Sequence, residues 1–153
     1  MPFESEKAFE EHIRELIGEY IIHDELLLFH SKKAVDILIC RNGINPALFF
    51  LEVKYHKKNH GRLSIGHGKG GGFQPEILSK QPKYFEMNMR WVLGIEDMEG
   101  YFFMSNKELI ERRYISNESI GEKYNNIRVE LFKKELPLDE DRFIKELKKW
   151  VSQ

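Results

Sequence analysis

Apolar side chains recur every three or four positions between residues 4 and 20, at Phe9, Ile13, Leu16, Ile17 and Tyr20, with acids on the other faces. That period predicts an amphipathic opening helix, and Ser5 suits its N-cap. The period then shortens to that of strands. Three strand-like runs follow, at about 25 to 30, 34 to 41 and 47 to 54, and Asn42-Gly43-Ile44-Asn45-Pro46 between the last two reads as a hairpin connection. A glycine-rich loop is expected from there to Phe73. Pro75 suits the first turn of a helix, and Pro82 either interrupts that helix or starts a second one through Tyr84 and Phe85. Strands are expected at Arg90 to Ile95 and Tyr101 to Met104, then a short helix near 106 to 113. A strand near 127 to 132 is expected from the alternation of Ile127, Val129 and Leu131. A last amphipathic helix starts after Asp139 and carries Phe143, Leu147, Trp150 and Val151. Trp91, Phe102, Phe103 and Trp150 fall in these periodic segments and are expected in the core.

The chain has 153 residues, 41% hydrophobic and 12% aromatic, which suits one compact domain and excludes a disordered or low-complexity chain. No repeat or linker divides it, so residues 1–153 are read as a single domain. A single cysteine, Cys40, excludes an internal disulfide and a cysteine-cluster zinc site. The longest apolar runs are strand-sized, and the acidic start Met1-Pro2-Phe3-Glu4-Ser5-Glu6 lacks the order of a secretion signal. A cytoplasmic protein with no membrane partner is expected. Net charge is only −1, yet its distribution is uneven. From Lys54 to Lys83 seven Lys or Arg face one acid, Glu76, a local excess of six positive charges, and the remainder carries seven net negative charges. Local positive charge of this kind suits a polyanion, because phosphate contacts draw affinity from counterion release.

The third strand carries the chemistry. Side-chain alternation puts Phe50, Glu52 and Lys54 on one face and Phe49, Leu51 and Val53 on the other. In the second strand Asp36 interrupts the run Ala34-Val35 to Ile37-Leu38-Ile39-Cys40, where an isolated charge costs several kcal/mol unless it is paired or bound to a metal. If the two strands are hairpin partners, Asp36 and Glu52 converge from neighbouring positions. Hard oxygen ligands with open water positions suit Mg2+ better than zinc or copper. The plain structural alternative is that Lys54 simply pairs with Glu52 or Asp36.

At these residues the sequence resembles the PD-(D/E)XK nuclease superfamily, which includes type II restriction endonucleases and archaeal Holliday-junction resolvases. The resemblance lies in Val35-Asp36-Ile37, followed 16 residues after the Asp by Glu52-Val53-Lys54, and in the order helix, strand, strand, strand, helix, strand over about residues 5 to 96. Val35 stands where the family's name has Pro. The resemblance implies an α/β fold with a restriction-endonuclease-like core, a central mixed β-sheet flanked by helices, with the elements at 101–153 added for recognition or dimerisation. It implies that Asp36, Glu52 and the Val53 carbonyl hold Mg2+, with Mn2+ as a substitute, and that Lys54 orients or activates the attacking water. Many members add a glutamate from the first helix; Glu10, at the edge of the face that carries Ile13 and Ile17, is the better candidate and Glu11 the fallback. Some members add a glutamine after the lysine, for which Gln74 and Gln81 both qualify.

The segment from His56 to Phe73 contains Gly66-His67-Gly68-Lys69-Gly70-Gly71, which fits GxGxxG, but no long strand precedes it and no ribose-binding acid follows, so a nucleotide cofactor is not expected. Glycine-rich backbone leading into a helix binds phosphates through exposed N–H groups. The resemblance to the nucleases then makes Lys57, Lys58, Arg62, His67, Lys69 and Gln74 the expected DNA contacts. His56 and His60 sit in a Gly/Lys segment and make a poor zinc pair. No GxSxG occurs, and Cys40 falls in a strand, so nucleophilic hydrolase chemistry has no support. The expectation is a Mg2+-dependent endodeoxyribonuclease of restriction type working as a homodimer. The alternatives are a Holliday-junction resolvase and a non-catalytic DNA-binding module.

Overall fold

The computed structural model of the protein describes residues 2–21, 26–29, 36–67, 82–112 and 124–153. Helix α1 (Glu6–Tyr20) starts where expected, because the Ser5 hydroxyl accepts the Ala8 N–H at 3.1 Å and satisfies a donor that the first turn leaves open. Its buried stripe is Phe9, Ile13, Leu16 and Ile17; Tyr20, expected on that stripe, is exposed because the helix ends there. Strands β1 (Leu26–Phe29), β2 (Ile37–Arg41) and β3 (Ala47–His56) follow. β4 (Arg62–His67) precedes α2 (Pro82–Asn88), β5 (Met89–Ile95), β6 (Met98–Met104) and α3 (Asn106–Arg112). β7 (Tyr124–Arg128), a 3-10 turn (Val129–Lys134) and α4 (Glu140–Val151) complete the described chain. Pro82 starts α2. Asp139 caps α4 by accepting the Arg142 N–H at 2.8 Å.

The main sheet has the order β1-β2-β3-β5-β6. It is mixed: β3 and β5 are parallel and the other neighbours antiparallel. Alternation along the strands divides the core into two layers. On one face Ile37, Ile39, Phe49, Leu51, Val53, Tyr55, Val92 and Tyr101 pack under α1 and α4. On the other Met89, Trp91, Leu93, Ile95, Phe102 and Met104 pack against α3, the 3-10 turn and a two-stranded ribbon of β4 and β7. Each fully buried Phe9, Ile13 or Ile17 side chain contributes roughly 1.5–3 kcal/mol by leaving water, which fixes α1 against β3. No described helix is long and apolar enough to cross a membrane. The α/β architecture expected from the sequence, a mixed sheet flanked by helices, is therefore present.

Two local expectations are corrected. Residues 62 to 67, read as part of a glycine-rich loop, form β4, because pairing with β7 buries Leu63 against Ile127. Tertiary burial outweighs the local glycine and charge signal there. The strand expected over 127 to 132 stops at Arg128 and becomes a 3-10 turn, in which Val129 and Phe132, three apart, are buried while Leu131 is only half-buried. The alternation of 127, 129 and 131 matched a strand, but the core takes 127, 129 and 132.

Candidate active site

The β2–β3 ladder runs from Arg41↔Ala47 to Ile37↔Leu51, so β3 continues past the start of β2 from Glu52 to His56. Its other edge stays paired with β5 as far as His56↔Ile95. One edge of β3 is thus without a strand neighbour among the described residues, and its N–H groups at Val53 and Tyr55 need acceptors. Side chains supply them. The Asp36 carboxylate accepts the Val53 N–H at 2.8 Å, and the Glu6 carboxylate accepts the Tyr55 N–H. A strand residue directs its N–H and C=O to the same neighbour, so the Val53 carbonyl faces this opening too.

Asp36 stands one residue before β2 rather than inside it, just beyond the last ladder pair, Ile37↔Leu51. The expected convergence is present: the Asp36 and Glu52 side chains hydrogen-bond, and the Asp36 N–H also donates to the Glu52 carboxyl. Glu52 is 8% exposed. Burial pushes its carboxyl up to about 9 and the charge of Asp36 adds to the rise, while Lys54 works against both. Lys54, half-buried on the same strand face, lies 3.8 Å from a Glu6 carboxylate oxygen. Glu6 thus joins Glu52 among the carboxyl groups that act on Lys54.

Helix α1 delivers three charged side chains to this opening at i, i+4 and i+8: Glu6, Glu10 and Arg14. Glu10 forms an ion pair with Arg14 at 2.5 Å. Burial raises the Glu10 carboxyl above its ordinary value and the nearby Asp36 charge raises it further, with Arg14 opposing. Burial likewise raises Glu6, against Lys54 and the Tyr55 N–H. Of Glu10 and Glu11, Glu10 is the one that α1 brings near Asp36, and Glu11 is exposed. Glu6 and Arg14 were not picked out from the sequence; the signal was their four-residue spacing on either side of Glu10, flanking the apolar stripe.

A hard divalent cation suits this donor set. Two adjoining carboxyl groups beside a main-chain carbonyl form a set of hard oxygen donors of the kind such a cation takes. Among the described residues no three His, Cys, Asp or Glu side chains already form a metal cluster, and the set here is two carboxylates and a carbonyl. Lys57 and Lys58 are exposed in the bend that follows β3. Arg62 and His67 bound β4, with side chains outside the described residues, as are Lys69, Gln74 and Gln81. The His56 ring bonds the His60 carbonyl oxygen at 2.9 Å.

Fold and site together define an α/β chain with an Asp, Glu and Lys cluster at the free edge of a central strand. No family model matches the chain, and no curated protein matches it. Among solved structures it is similar to Archaeoglobus fulgidus Hjc, a Holliday junction resolvase from an archaeal hyperthermophile. The identity is 16%, over 85% of this chain and 97% of that one, with a TM-score of 0.48.

Proposed function

We propose that the protein is a Mg2+-dependent endodeoxyribonuclease of the PD-(D/E)XK type. The observation that carries this reading is the hydrogen bond from the Val53 N–H to the Asp36 carboxylate at 2.8 Å, which holds Asp36 beside Glu52 at an open strand edge, with Lys54 two residues on along the same face. Asp36, Glu52 and the Val53 carbonyl hold the ion. When bound, Mg2+ supplies positive charge at the phosphate and makes water a better nucleophile at neutral pH. Lys54, held by Glu6, sets its ammonium beside the reacting phosphate, steadies the developing charge and orients the water. Glu10 balances Arg14 at the rim of the same opening. The exposed Lys57 and Lys58, with Arg62, His67, Lys69 and Gln74, bind the DNA.

Cleaving both strands of a duplex takes two such sites, and a symmetric homodimer provides them. The sequence favours a restriction-type enzyme. The solved structure to which the chain is similar is named as a Holliday junction resolvase, and both readings use the same site. Supercoiled plasmid and a synthetic four-way junction, each incubated with Mg2+ and with chelator, separate them. Discrete duplex fragments support restriction; symmetric junction nicks support resolution. In either case Asp36→Asn, Glu52→Gln and Lys54→Met each lower cleavage by about a hundredfold or more while the melting transition remains. Binding without cleavage in Mg2+ or Mn2+, unaffected by Asp36→Asn, makes the chain a DNA-binding module instead.

A further inference from the structure

The proposed site depends on where Asp36 sits, and the β-ladder does not set that position. The last β2–β3 pair is Ile37↔Leu51, so Asp36 lies just beyond it. Three contacts from other elements hold the residue. Its carboxylate takes the Val53 N–H, its own N–H reaches Glu52, and its carbonyl oxygen accepts a hydrogen bond from Arg14 Nη2 of α1. The first two come from the strand that carries the rest of the site. The third ties Asp36 to the helix.

Arg14 does not resemble a solvated helix charge. Its side chain is 12% exposed, its Nη2 makes both the Asp36 contact and the Glu10 ion pair, and its Nε has no hydrogen-bond partner among the described residues. A guanidinium with a stranded donor is costly to bury, and an aliphatic side chain would fill the same place without that cost. The carbonyl it holds belongs to the residue whose carboxylate must meet the cation.

We propose that Arg14 is a positioning residue, which fixes the Asp36 carboxylate for the divalent cation by anchoring the Asp36 main chain to α1. This rests on the nuclease reading of the site. Charge and positioning predict opposite signs for its removal, which makes the inference testable. On charge alone, loss of the guanidinium leaves Glu10 unneutralised beside Asp36, and a cation binds more tightly. On positioning, the carboxylate loses its alignment and the cation binds more weakly.

The test is calorimetric titration of Mn2+ into the full chain, wild type and Arg14→Met, with thermal melting to confirm folding. Outer partners of metal ligands typically contribute a factor of ten or more in affinity, so Arg14→Met is expected to weaken Mn2+ binding about tenfold. Arg14→Lys retains most of the affinity, because a single nitrogen makes both contacts and an ammonium can replace it. A folded Arg14→Met that binds Mn2+ as tightly as wild type, or more tightly, overturns the inference. If that variant does not fold, Arg14→Gln is read by the same comparison. Absence of Mn2+ binding in the wild type overturns the nuclease reading itself, a result distinct from equal binding in wild type and variant.

Discussion

Glu52 lies in the middle of β3, 8% exposed and hydrogen-bonded to Asp36, and its proton is part of the fold. Its carboxyl rises from an ordinary 4.5 to about 9, so between those values the folded chain holds a proton that the unfolded chain has released. The resulting stability is complete below about pH 4.5 and is lost as pH rises through about 9. The slope is at most about 1.4 kcal/mol per pH unit. In chelator, the urea midpoint of the wild type should fall from pH 6 to pH 9, and that of Glu52→Gln should fall less; equal slopes would mean that Glu52 is ionised throughout. The residues of β3 and Asp36 were legible in the sequence because strand alternation is strict and a charge within an apolar run stands out. Glu6 and Arg14 were not, because charges flanking a helical stripe look solvent-facing until the helix is docked.

Helix α1 carries Glu6, Glu10 and Arg14 to the site only because it lies close on the sheet, and one glycine permits that approach. A Cβ at Gly94 of β5 would stand 2.8 Å from the Phe9 ring and 3.2 Å from Tyr55. Phe9 of α1 stacks on Tyr55 of β3 with ring centres 5.3 Å apart, so a side chain at Gly94 would press on the contact that seats the helix. Gly94→Ala is expected to destabilise the fold by about 1–3 kcal/mol, the usual cost of overpacking, and to weaken Mn2+ binding as α1 is displaced from Asp36. Melting and Mn2+ titration of the one variant check both halves; a lower melting point with unchanged Mn2+ affinity would separate helix docking from the site. Helix α1, the hairpin pair β2 and β3, and α4 were legible because each couples a clear period to a cap or turn. β4 and the 3-10 turn after Arg128 were not, since both are decided by the packing of Leu63, Ile127, Val129 and Phe132 across distant parts of the chain.

For the molecule as a whole, a net charge of −1 gives no general attraction to DNA, so on the nuclease reading proposed above binding must come from where the charge is placed. Lys57 and Lys58 are exposed at the end of β3, the strand that carries Glu52 and Lys54. If DNA is the substrate, a phosphate backbone approaching Lys54 would pass this bend, while the acid-rich remainder of the chain would repel it. Each phosphate neutralised releases counterions and adds about 0.9 to the steepness of log affinity against log salt. The double variant Lys57→Ala, Lys58→Ala should therefore bind duplexes of any sequence more weakly and with a salt slope shallower by about 2. Its melting point should be unchanged, because both side chains are solvated. Anisotropy titrations between about 50 and 200 mM salt, with Ca2+ replacing Mg2+ so that the DNA stays intact, measure the slope directly. A slope equal to that of the wild type would take the DNA away from this bend and leave the strand edge at Glu52 and Lys54 to be reached from the side of α1.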